Sequence, residues 1–181
     1  MYFIGILAAF ISPASHSLSN IFDAYISENL FKKTTTTIFY ANITNIFGPM
    51  ALLFIAPIQL IPINVVPYVI LIGLINVGYL FPYYTALKTT DTSTVAALFS
   101  LEKIFIPFWG YMIVKEILQP VQYVGLGIII LASLALNLEK TNQIKINKGF
   151  WLMLLTTVML SFETVFYKKI LQEIDWVSAA F

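Results

Sequence analysis

Apolar stretches of about 20 residues, each closed by a short polar break, recur along the chain and set its architecture before any motif does. Span 1 covers roughly 2–24, span 2 roughly 37–60 and span 3 roughly 66–87. Span 4 follows at roughly 92–114, span 5 at roughly 119–138 and span 6 at roughly 149–171. The breaks carry charge, threonine or proline. Glu28 to Lys33 and a threonine run separate spans 1 and 2, and Pro57, Pro62 and Pro67 punctuate the entry to span 3. "KTTDTST", "KEILQP" and "NLEKTNQIKINKG" make the remaining links. Links this short predict antiparallel neighbours in a compact bundle. Every segment in lipid must be helical, because an open sheet would leave its backbone groups unpaired there. The expected fold is therefore all-α and integral to the membrane, with six transmembrane helices. After Asp175 the chain turns apolar again in "WVSAAF", as a chain cut off while entering a seventh span would.

Polar residues interrupt these spans at helical spacing. Residues three or four apart share a face, so Ser12, His16, Ser19 or Asn20, and Asp23 make one polar stripe on span 1. Thr156 or Thr157, Glu163 or Thr164, and Tyr167 make another on span 6. Span 2 contributes Asn42, Asn45 and Pro49, and span 3 contributes Asn76, Tyr79 and Tyr83. Span 4 has Glu102 at its middle, preceded by the small residues Ser93, Ala96, Ala97 and Ser100, which let helix backbones approach closely. The plain reading makes the Ser, Thr and Asn side chains glue between helices, worth ~0.6 kcal/mol each. The two acids weigh differently. A charged residue at bilayer centre costs roughly 2.5–3.5 kcal/mol on insertion scales, and such groups usually face a cavity or a pathway. Glu102 and Glu163 are thus candidates for coupling or substrate contact, because a carboxyl that exchanges a proton with modest driving force is what proton-coupled transport needs. Lys103 is set about 100° around the helix from Glu102, so the two are not expected to pair; it could reach Glu163 or Asp23, bind an anionic substrate, or snorkel over a long distance to the interface. His16 faces the cavity side only by the company it keeps.

Composition sharpens this picture by exclusion. The chain has 181 residues, 59% hydrophobic and only 10% charged, too few solvating groups to cover a water-facing domain. Its net charge of +1 gives no basic footprint for nucleic acid. With no cysteine and one histidine, neither disulfides nor a protein-built metal site is expected, and no cofactor. No Gly-rich phosphate loop, zinc-binding histidine pair or nucleophile elbow supports an enzyme. The N-terminus lacks a basic region and a small-residue cleavage site, so it reads as a first span rather than a signal peptide. Asn42-Ile-Thr44 matches a glycosylation sequon but lies inside span 2. Tyr2, Tyr68, Trp109, Tyr123 and Trp151 fall nearer span ends, as interface-belt residues do, with Trp109 and Tyr111 alternatively lining an entrance.

The chain also starts again. A shift of about 144 residues lays Gly5 on Gly149, Phe22 on Phe166 and Ile26 on Ile170, and superposes the polar stripes of spans 1 and 6. Five spans separate the two copies, an odd number, so the second enters from the opposite side, the inverted arrangement of many secondary transporters.

The stretch "YYTALKTTDTSTVAALFSLEKIFIPFWGYMIVKEILQPVQYVGLGIIILASLAL" resembles the third to fifth helices of an EamA-type repeat of the drug/metabolite transporter superfamily. The resemblance rests on "AL" before a Thr/Ser turn, on A-A-L-x-S-L-E in helix four, and on a closing glutamate, here Glu116, before a Leu-x-Pro link. "SLSNIFDAYI" is similar to the family's first helix. Two positions depart from the pattern: Lys103 stands where family members commonly have proline, and Lys115 where they usually have glycine. The resemblance implies a complete five-helix repeat over 1–140, a linker at 141–148, and at 149–181 the opening of a second, incomplete repeat of a ten-helix carrier. It implies a permease or exporter of small metabolites, amino acids or drugs in a bacterial or archaeal plasma membrane. Its partners would be the lipid bilayer, a small-molecule substrate, and either the missing C-terminal half or a second copy in a homodimer. Glu102, Lys103, Glu163, His16, Asn20, Asn45, Tyr79 and Tyr83 are the expected lining of its cavity. A non-transporting assembly or anchor protein, its polar residues only holding helices together, is the alternative. With the N-terminus cytoplasmic, as the resemblance implies, three lysines lie inside and six outside, against the positive-inside rule.

Overall fold

A computed structural model describes residues 2–52, 54, 61–141 and 147–174. The predicted end of span 2, most of the linker and the apolar run after residue 174 fall outside them. All regular structure among the described residues is helical. Helix α1 is Tyr2–Tyr25, and its last turn widens into a π-helical segment, Ile26–Leu30. Helix α2 is Thr34–Leu52. Span 3 is two helices, α3 (Val66–Gly78) and α4 (Leu80–Leu87), and span 4 is also two, α5 (Thr92–Phe99) and α6 (Glu102–Trp109). A second π-helical segment, Gly110–Val114, continues α6, and α7 (Pro120–Thr141) and α8 (Lys148–Ile170) complete the bundle. Among the described residues, Val66–Leu87, Thr92–Val114 and Lys148–Ile170 are long and apolar enough to cross a membrane.

The break inside span 3 follows from proline chemistry, while that inside span 4 lies ahead of its proline. Pro82 has no N–H to give the carbonyl of Gly78, and the helix is interrupted just there, at Tyr79. Pro107 likewise offers no N–H to Lys103. One turn earlier the backbone tightens to three-residue spacing, with Lys103 N donating to Ser100 O at 3.1 Å and Ile104 N to Leu101 O at 3.0 Å. The Ser100 hydroxyl reinforces this turn by donating to Ala97 O at 2.6 Å.

Helix α8 is the hub, packed against α3, α4, α5 and α6. Its tightest contacts use small side chains, with Thr156, Thr157 and Ser161 fully buried beside Met153. These hydroxyls do not bond between helices, as the polar stripe suggested. Thr156 donates to Leu152 O at 2.9 Å, Thr157 to Leu154 O at 2.9 Å and Ser161 to Val158 O at 2.8 Å, all on their own helix. In lipid a hydroxyl satisfied by its own backbone frees the surface for close packing. Asn147 caps α8, its Oδ1 accepting from Phe150 N at 3.0 Å, and Lys168 and Lys169 in the last turn complement the helix dipole. The core proper joins Ala24 of α1 and Ile38 of α2 to Leu80, Tyr83, Tyr84 and Leu87 of α4, Val95 and Leu98 of α5, and Met153 of α8.

Two contacts fix which helix ends meet. Lys88 Nζ donates to Phe31 O at 3.2 Å and to Lys32 O at 3.0 Å, tying the end of α4 to the turn after α1. Gly149 lies so close to the same loop that a Cβ there would meet Thr90 Oγ1 at 1.8 Å. At the opposite end Lys168 pairs with Glu116, and Lys169 Nζ lies 4.7 Å from the centre of the Tyr68 ring. Spans 3 and 4 therefore run antiparallel, as their short link predicts, while span 6 runs parallel to span 4. Trp109 does not lie in a lipid-facing belt; its ring packs edge-on to Phe162 of α8, with centroids 5.0 Å apart.

Candidate functional site

The break between α5 and α6 decides where Glu102 sits. It opens α6 immediately after the tightened turn, and its side chain, 16% exposed, is turned towards α8. There Thr164 Oγ1 donates to Glu102 Oε1 at 3.2 Å. Lys103, 47% exposed, bends back so that its Nζ lies 3.5 Å from Glu102 Oε1. This corrects the expectation that the two do not pair. The 100° separation governs Cβ directions, and the four-carbon lysine stem is long enough to undo it. Neither Glu163 nor Asp23 is the partner of Lys103.

Glu163 precedes Thr164 on α8, so both acids meet within one turn of that helix. Glu163 Oε1 accepts from Asn76 Nδ2 of α3 at 2.9 Å. Its Oε2 is buried and has no hydrogen-bond partner among the described residues. Glu102 is close enough to act on it electrostatically.

A second polar centre lies nearer the Lys88 end. Asp23 Oδ1 accepts from Tyr84 Oη at 3.0 Å, and Asp23 Oδ2 accepts from Tyr83 Oη at 3.1 Å. Tyr83 Oη also lies 3.2 Å from Asn20 Oδ1. Both tyrosines are 3% exposed, so each buried hydroxyl needs an acceptor, and the carboxylate supplies it. Tyr79, half-buried, stands between the centres, within electrostatic reach of both Glu163 and Asp23. Asn76, Tyr79 and Tyr83 are spaced by three and four residues and form one face, about 10 Å long, whose ends hydrogen-bond to carboxyls of two other helices.

Six of the expected lining residues thus fall into two groups: Glu102, Lys103 and Glu163 in one, and Asn20 and Tyr83 in the other, with Tyr79 between. The side chains of His16 and Asn45 lie outside those described. Sequence reasoning left Asp23 and Tyr84 out of the site. The signal for them is the pair Tyr83-Tyr84 inside an apolar segment: adjacent phenols point in different directions, and both need a buried acceptor.

No metal-holding cluster of histidine and acidic residues occurs among the described residues. No curated protein and no solved structure matches the chain. The model of the EamA-like transporter family matches residues 3–138. That match covers most of a chain already seen to be helical, apolar and threaded by internal polar groups, and the chain belongs to this family of small-molecule membrane transporters.

Proposed function

We propose that the protein is a secondary transporter, a permease or exporter of small metabolites, amino acids or drugs. It would work by alternating access and couple movement to protons through Glu102 and Glu163. The observation that carries this reading is the buried Glu163 Oε2, to which no described residue donates, beside a second carboxyl at the level of two helix breaks. An unsatisfied buried oxygen is costly in a purely structural site, and it offers a landing place for a proton or a substrate donor. Discontinuous helices near mid-membrane are where carriers build their binding sites. Residues 1–140 serve as one repeat, 141–148 as a linker and 149–181 as the opening of the next. In support, α1 and α8 begin at opposite ends of the bundle. Rocking of one repeat against the other would alternate the access. A bacterial or archaeal plasma membrane is the setting this function suggests.

The test is Glu102→Gln in proteoliposomes, assayed against a panel of amino acids and small drugs. The variant should insert normally and lose the pH dependence of flux. Proton-coupled uptake at the wild-type level would overturn the assignment.

A further inference from the structure

Asp23 has more hydrogen-bonding options around it than a fixed structural carboxylate requires. Two phenols occupy its two oxygens, one each, and no lysine pairs with it among the described residues. The groups facing it are Tyr83 and Tyr84 from α4, with Tyr79 at longer range, and Asn20 of its own helix lies against the Tyr83 hydroxyl. Helix α5, also packed on α1, brings no ionisable residue to the contact, and Asp91 before it is exposed. Glu28, in the turn after α1, is exposed, and His16 lies seven residues back on the same helix.

We propose that Asp23, held by Tyr83 and Tyr84, with Asn20 as a second acceptor for Tyr83, is a second proton-binding site of the carrier. It would be loaded from the end of the bundle that carries Lys32 and Lys88. The geometry supplies both protonation states with partners. When Asp23 is ionised it accepts from both phenols. A proton arriving from hydronium forms one O–H bond on Asp23, breaks one in the donor and leaves water. The new carboxyl O–H needs an acceptor, and a phenol that turns from donor to acceptor supplies one. Tyr83 can do so by rotating its hydroxyl proton alone, because Asn20 Oδ1 already lies 3.2 Å away, against 3.1 Å for Asp23 Oδ2. Tyr83 then accepts from Asp23 and donates to Asn20, while Tyr84 stays in place. A site meant only to hold α1 against α4 would need one acceptor per phenol and no spare. The face Asn76–Tyr79–Tyr83 connects this site to Glu163, so the inference extends the coupling reading above, though its test needs no transport.

That test is an infrared titration of the purified protein in lipid, with the proton as the only ligand. A carboxylic C=O band should grow on acidification, and Asp23→Asn should delete one component of it. Tyr84→Phe removes a donor to the ionised form, so the component should appear at a pH higher by roughly one unit. Asn20→Leu removes the spare acceptor used by the protonated form, so the component should shift the other way. A band untouched by Asp23→Asn overturns the proposal, and so do shifts of the same sign in the two milder variants. Flux lost in Glu102→Gln together with the opposite spectral shifts of Tyr84→Phe and Asn20→Leu supports both readings. Spectra that fail while flux behaves as expected would sink this one alone.

Discussion

Lys115 adopts the left-handed backbone conformation, φ 57 and ψ 27, at the end of span 4. It occupies the position where the family resemblance leads to glycine, and the geometry says why: a Cβ is crowded in that conformation, and glycine has none. The lysine recovers a little through its Nζ, 5.8 Å from the centre of the Tyr111 ring. Lys115→Gly should therefore stabilise the protein by about 0.5–1 kcal/mol, and Lys115→Val should destabilise it by at least as much. Thermal unfolding in detergent reads both signs, and a lower midpoint for the glycine variant would contradict the account. At this scale the sequence was readable in part. The departure at residue 115 was visible, but its backbone angle was not. The pairing of Lys103 with Glu102 was hidden because helical spacing describes Cβ atoms, while the ion pair forms at the tips of long side chains.

Among elements, the informative features are the interruptions. Spans 3 and 4 both break within the membrane-spanning length, at Tyr79 and at Ser100–Leu101, and both breaks lie within one or two turns of a proline. Pro107→Ala would restore a donor to the Lys103 carbonyl within α6. We expect that variant to unfold at higher temperature and to transport more slowly, since a proline within a helix costs about 3 kcal/mol. Faster transport together with lower stability would count against a functional break. The contact between Gly149 and Thr90 gives a purely structural prediction. Gly149→Ala should cost roughly 1–3 kcal/mol by overpacking, and Thr90→Ala in the same chain should recover most of it. If the double variant were no more stable than the single, the close approach would not be the cause. Spans 3, 4 and 6 were legible, since their length and apolar character are imposed by the bilayer. The breaks were not, because a proline inside an apolar run still reads as part of the run.

Across the whole molecule, α8 gathers the polar groups of the other helices. It carries Glu163 to Asn76 and Thr164 to Glu102, while Asp23 closes the far end of the same face through Tyr83 and Tyr84. The sequence marked most of these residues by periodicity, but periodicity gives a face and not the helix it meets. Asp23 was therefore seen as part of a stripe, with nothing to say that two phenols from α4 would converge on it. The central claim is that the acids at the α6–α8 contact couple solute movement to protons. The most direct measurement compares two fluxes of one transported solute in proteoliposomes, for wild type and Glu163→Gln: exchange at equal pH, and net accumulation driven by a pH gradient. The account predicts that the variant retains exchange and loses accumulation. Accumulation at the wild-type rate in Glu163→Gln would contradict it.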